Sequence, residues 1–232
     1  LPGAPKLCQG VVRNFIAVQD PHTGTIDCKP GMAGQRGRFL AAPYLSSMVW
    51  NLTNSGKDKD FISTVYPALH SFFWSWFSPS RDHDRNGLPE WQHVTQTGFE
   101  ENPLFDGWHT WAKGINITTV QSPALSSALF REAQYLIKMA ELLGRVSDIT
   151  TLKAQASTLR QGIEACWDPD NLLYRYADRD THYSLPGKLV SERQAAPVIN
   201  IQKEFKQPVR LVIRILGQND TLKRPHVIIY GK

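Results

Sequence analysis

Apolar positions recur at helical spacing in four stretches of the chain. Between Arg36 and Leu52, the residues Leu40, Pro43, Tyr44, Met48 and Leu52 keep a helical interval, which predicts a helix ended by the polar run NSGKDKD. From about Asp58 to Trp76, Phe61, Val65, Leu69, Phe72, Phe73 and Trp76 share one helical face. The short polar turn between the two makes them a helical hairpin. Pro123 suits the first turn of a third helix, where its missing N–H costs nothing. Leu125, Leu129, Ala133, Leu136, Ala140 and Leu143 form its stripe, and Gly144 marks its end. A fourth helix, about Ser147 to Trp167, turns Leu152, Ala156, Leu159, Ile163 and Cys166 inward. Near the start, VVRNFIAVQD is a short apolar segment, helix or strand, followed by the loop PHTGTIDCKPGMAGQRG.

The period changes after Trp167. NLLYRYADRD alternates as a strand does, and PVRLVIRIL and PHVIIYG are rich in β-branched residues. The pattern therefore predicts a mainly α chain: a helical-hairpin domain over 1–188 and a small β unit over 189–232. Two consecutive hairpins fit part of a toroid of inner and outer helices, which needs about six of them.

Between the hairpins neither period holds. Residues 81–111 read RDHDRNGLPEWQHVTQTGFEENPLFDGWHTW, punctuated by Gly87, Pro89, Gly98, Pro103 and Gly107. A loop of this length inside a compact domain is uncommon and usually functional. Its acids, Glu90, Glu100, Glu101 and Asp106, alternate with the rings Trp91, Phe99, Phe105, Trp108 and Trp111. Rings cover the apolar faces of a sugar, while acids hold hydroxyls and deliver a proton to a glycosidic oxygen. Large rings are also ordinary core residues, whereas buried carboxylates call for a partner or a role. The acids tip the reading toward a carbohydrate site.

The run GLPEWQHVTQTGFEENPLFD, followed by WHTW and a helix opening SPAL, resembles bacterial proteins related to glycoside hydrolase family 63. That family holds processing alpha-glucosidases and the mannosylglycerate and glucosylglycerate hydrolases, and its catalytic domain is an (α/α)6 barrel. The similarity extends from about Arg36 to about Lys188, with a weaker echo in the tail. It implies an inverting hydrolysis of an alpha-linked glucoside or mannoside, in which one carboxylic acid protonates the leaving oxygen and a second carboxylate activates water. In the family the donor is the aspartate of a Gly-x-Asp-x-x-Pro pattern. Gly98-Phe99-Glu100-Glu101-Asn102-Pro103 matches that spacing with Glu100 in the aspartate's place. The resemblance thus implies Glu100 as the catalytic acid, Glu101 being the alternative, with Asp106 holding substrate hydroxyls. Phe99 and Phe105 are expected to keep water from Glu100 and raise its pKa. Glu90 holds hydroxyls or serves as a structural loop acid, and Trp91, Trp108 and Trp111 are the candidate stacking rings. The second carboxylate lies far downstream in the family, and this chain is expected to end before it; Glu192 and Glu204 are poor substitutes.

Asp82-His-Asp84-Arg-Asn86-Gly87 reproduces the first half of an EF-hand loop, but His93 stands where the bidentate glutamate belongs. No cofactor is required by this reading. A looser structural calcium at Asp82, Asp84 and Asn86 competes with plain side-chain-to-backbone turns. His83, His93 and His109 lack the cysteines and spacing of a zinc site.

Charged residues at 20% and hydrophobic residues at 41% of 232 describe a globular protein. The net charge of +5 comes from scattered Lys and Arg, so nucleic acid is not an expected partner. No apolar run is long enough to span a membrane, and the cysteines Cys8, Cys28 and Cys166 do not make a disulfide framework. With no secretory leader in LPGAPKLCQG, a cytoplasmic location and a processed or excised piece of a longer chain are expected. The oligomeric state is open. Three alternatives to a glycosidase remain: a non-catalytic sugar-binding module, a calcium-stabilised structural domain, and an (α/α)6 sugar isomerase, which the motif disfavours.

Overall fold

A computed structural model describes residues 4–31, 34–35, 37–53, 56–99, 102–107, 112–184, 188–192, 198–201, 203–215 and 228–229. Its helices are α1 (Pro5–Ala17), α2 (Leu45–Leu52), α3 (Lys59–Ser75), α4 (Pro123–Leu143) and α5 (Val146–Ala165). The expected ambiguity at VVRNFIAVQD resolves as helix, opened by Pro5 in its first turn. Two hairpins form, α2–α3 and α4–α5, with α4 packed on both helices of the first and α1 resting on α2 and α3.

The caps explain the helix ends. Asp58 accepts the Phe61 N–H at the start of α3, and Ser122 accepts the Leu125 N–H at the start of α4. Gly144 ends α4 in the left-handed region at φ 71°, a conformation that costs glycine little. The core is the shared face of these helices: Phe61, Val65, Leu69, Phe72 and Phe73 of α3 meet Leu125, Leu129, Ala133, Leu136 and Ala140 of α4. Leu152, Ala156 and Leu159 close it from α5.

The first predicted helix differs in length and register. It begins at Leu45 rather than Arg36, because Pro43 bars an earlier helical turn. Leu45 and Val49 face the core, whereas Met48, expected inside, is half exposed. The segment before it is held instead by Asp27, whose carboxylate accepts the N–H groups of Lys29, Gly37 and Arg38.

The strands are two residues long. They pair as β1 (Pro30–Gly31) with β2 (Gly34–Gln35), β3 (Val120–Gln121) with β6 (Ala177–Asp178), and β4 (Trp167–Asp168) with β5 (Leu173–Tyr174). The alternation in NLLYRYADRD therefore marks real strand structure. The β unit expected over 189–232 does not form among the described residues, which carry no strand there. Val209, Leu211, Val212, Ile213 and Ile215 are exposed. β propensity describes a fit to a paired, half-buried surface, and among the described residues no such partner surface lies against these side chains.

Candidate functional site

The loop between α3 and α4 is built on Asp82. Its buried carboxylate accepts the N–H of Asn86 at 3.0 Å and of Gly87 at 3.0 Å. Burial pushes this carboxyl up, against the two N–H bonds that favour the anion. Asn86 accepts the Leu88 N–H and donates its amide to Asp84. These side chains thus carry the turn through Arg85 and Gly87, both at positive φ. Among the described residues, no group of three His, Cys, Asp or Glu side chains is placed to hold a metal ion.

That turn leads directly to Glu90. Its backbone N–H bonds to the Arg81 carbonyl at 2.7 Å, returning the chain to the point where it left α3. Only 1% of Glu90 is exposed. His83 Nδ1 lies 3.2 Å from Oε2, while Oε1 has no hydrogen-bond partner among the described residues. Loss of water dominates the titration and pushes the carboxyl up to about 7, the His83 bond and the Arg179 charge pulling the other way. Arg179 arrives from the residue after β6, with its backbone N–H on the Thr119 carbonyl and its guanidinium on Thr118 and Asp180. A buried acid with one unanswered oxygen, flanked by a histidine and an arginine, can hold or pass a proton near neutrality.

Trp91 takes a different place from the one expected. It is buried with its ring edge-on to Trp76 at 5.7 Å, and its indole N–H donates to Ser122 Oγ. It anchors the loop to the N-terminus of α4 and presents no open face to a sugar. Downstream, Gln96 reaches back to accept the N–H groups of Gln92 and His93 while its amide donates to the Leu40 carbonyl. Phe99 is 67% exposed. Phe105 is buried against Tyr176, ring centroids 5.3 Å apart.

The expected acid Glu100, its alternative Glu101, and the expected rings Trp108 and Trp111 lie outside the described residues. Their described neighbours are fixed. The Asn102 N–H bonds to the Phe99 carbonyl, and the Asn102 carbonyl receives the N–H groups of Phe105 and Asp106. Asp106 is buried on this turn. Lys113 and Ile115 donate to the carbonyls of Pro103 and Leu104 at 2.8 and 2.9 Å, forming a neck between 103–104 and 113–115. Of the predicted residues, the structure places Glu90, Trp91 and Asp106 in the buried support of one loop.

Sequence reading missed Arg179 as a neighbour of Glu90 and treated His83 only as a weak metal candidate. The sequence offered no signal for Arg179 beyond its place at the end of an alternating segment; the pairing of that segment with β3, next to the start of α4, is what brings it there.

Two helical hairpins flanking a long acid-rich loop define the chain as part of an (α/α)6 glycosidase toroid. Residues 9–211 match the family model of the mannosylglycerate hydrolase MGH1-like glycoside hydrolase domain, and the chain belongs to that family. The match starts well before the expected Arg36 and runs past Lys188. Among solved structures, the chain is similar to the glycoside hydrolase family 63 mannosylglycerate hydrolase of Thermus thermophilus. With that enzyme in complex with glucose, the TM-score is 0.60 at 18% identity, covering 76% of this chain and 56% of that one. With the same enzyme bound to Tris and D-glycerate, it is 0.62 at 14%, covering 76% and 58%. An uncharacterized conserved protein of the same organism gives 0.57 at 16%, covering 71% and 52%. The chain therefore spans little more than half the length of these structures. No curated protein matches it. Among the described residues, no helix is long and apolar enough to cross a membrane.

Proposed function

We propose that the chain carries the acid half of an inverting glycosidase site for an alpha-linked glucoside or mannoside, with Glu100 as the proton donor. The observation that carries this reading is the family match over 9–211, which takes in the whole run from Gly87 to Asp106. The pinned loop supports it, since the bonds through Asn102, Lys113 and Ile115 fix the backbone on both sides of the acid. A donor must stand in one place relative to the glycosidic oxygen, which is why the fixing of the flanking residues counts in its favour. Asp106 would hold substrate hydroxyls, and Trp108 and Trp111 would cover a sugar face. Glucose and D-glycerate in the similar Thermus enzyme make a carbohydrate the expected partner.

The second carboxylate is assigned to residues beyond 1–232, in keeping with the fraction of the similar structures that this chain spans. Purified 1–232 should accordingly hydrolyse alpha-glucosides and alpha-mannosides at trace rates only. Robust turnover of either substrate would overturn this placement of the base. Sugar binding without turnover by a longer protein that carries further hairpins would favour the binding-module reading instead.

A second reading rests on Glu90, which has the burial and the raised carboxyl pKa of a general acid. In that case Glu100 would bind hydroxyls. Comparing Glu90→Gln with Glu100→Gln on the same substrate separates the two.

A further inference from the structure

The segment 209–215 contributes no strand, and its aliphatic side chains stay out of the core. Two arginines nonetheless fix it to opposite sides of the loop region. Arg210 forks between Asp178 and Asp180, on the turn that follows β6. Arg214 donates to the Ala112 carbonyl at 2.7 Å and approaches the Gly107 carbonyl at 3.5 Å, on the arm beyond the 103–115 neck. Four residues of chain reach at most about 13 Å, which bounds the separation of the Arg210 and Arg214 Cα atoms from which the two side chains reach their anchors.

We propose that residues 209–215 form a reversible strap that ties Gly107 and Ala112 to the 177–182 turn, with Arg210 and Arg214 as its two buckles. The strap meets the site through a line of charges. Arg210 shares Asp180 with Arg179, and Arg179 is the cation whose field reaches Glu90. Closing the strap therefore holds the Gly107 and Ala112 carbonyls and occupies part of the Asp180 carboxylate that would otherwise serve Arg179 alone. Reversibility follows from how it is held. Leu211, Val212 and Ile213 are about half exposed, so little apolar burial opposes release. Ion pairs at partly exposed sites are weak and screened by salt. This inference stands independently of the assignment of Glu100.

Hydrogen exchange measured by mass spectrometry on the whole 1–232 chain tests it, using Arg210→Gln, Arg214→Gln and Arg210→Lys. Each glutamine variant should speed exchange about two- to fivefold in both 112–117 and 177–184, the range expected for losing a weak buckle. Loosening at the distant anchor is the signature of a strap. Raising sodium chloride from about 20 mM to about 500 mM should do the same to the unaltered chain, where screening is strong. Arg210→Lys, which keeps the charge without the fork, should fall between. Peptides from α4 serve as the internal reference and should not change. Acceleration confined to each variant's own anchor, no acceleration, or equal acceleration in α4 would each overturn the proposal.

Discussion

A carboxyl group stripped of water is most stable as the neutral acid, and Glu90 is held in that condition. Its folded pKa of about 7 lies above the ordinary value of 4.5. The sign follows from linkage. The folded state keeps the proton where the unfolded state has lost it, so the contribution to stability is full below about 4.5. It is lost as pH rises through about 7. Glu90→Gln removes the titration, and its stability relative to the parent should rise between about pH 5 and about pH 8. The ceiling is a few kcal/mol, since each tenfold change in proton affinity is worth about 1.4 kcal/mol. Urea midpoints of both proteins across that range check it, and parallel pH profiles would contradict it. The sequence announced an acid-rich loop at this position, and burial singled out Glu90 within it. Residue spacing carried no sign that His83 and Arg179 would flank Glu90, because Arg179 is brought there by a strand pair distant in sequence. Trp91 differs from expectation for a related reason: a ring's identity does not say whether its faces are covered, and Trp91 is buried.

At the scale of elements, the long periodic helices were legible almost to their caps, since Asp58, Ser122, Pro123 and Gly144 are local signals with local consequences. The start of α2 was less legible because its stabilising partner is remote. Glu132 of α4, buried, accepts the N–H of Ser46 at 2.6 Å and of Ser47 at 3.1 Å. It therefore satisfies the first turn of α2 across the hairpin interface, and burial raises its pKa. Glu132→Ala should cost about 1–3 kcal/mol for the unanswered N–H groups, before any cavity contribution. The measurement is a fall in urea midpoint at unchanged slope. A loss well under about 1 kcal/mol would show that water replaces the carboxylate. At this same scale, the described residues of the tail carry no strand. β-branched runs such as LVIRI declare a preference for pairing, yet Arg210 and Arg214 bond to side-chain carboxylates and loop carbonyls instead.

At the scale of the whole molecule, four helices and one crossing loop are common to the sequence pattern and the structure, whose fold is similar to that of the family 63 hydrolase. The 81–90 turn bears on cation dependence. Asp82 and Asn86 already spend their oxygens on backbone N–H groups, so calcium at micromolar concentration should raise Tm by less than about 2 °C, under about 1 kcal/mol. A large rise would mean that the turn rearranges around the ion. The central claim, however, is the proton donor, and a ratio of rates tests it most directly. In a longer form of the protein that contains 1–232 and turns over substrate, Glu100→Gln keeps the side chain's shape and removes its transferable proton. Hydrolysis of glycosides with poor leaving groups should fall about 10²–10⁴-fold, while a glycosyl fluoride, which leaves without protonation, should be affected far less. Taking the ratio of the two rates cancels any change in folded fraction, and Glu101→Gln controls for the loop and its charge. A selective loss in Glu100→Gln alone is the predicted result; the same loss in Glu101→Gln instead, or an equal fall on both substrates, would contradict the account.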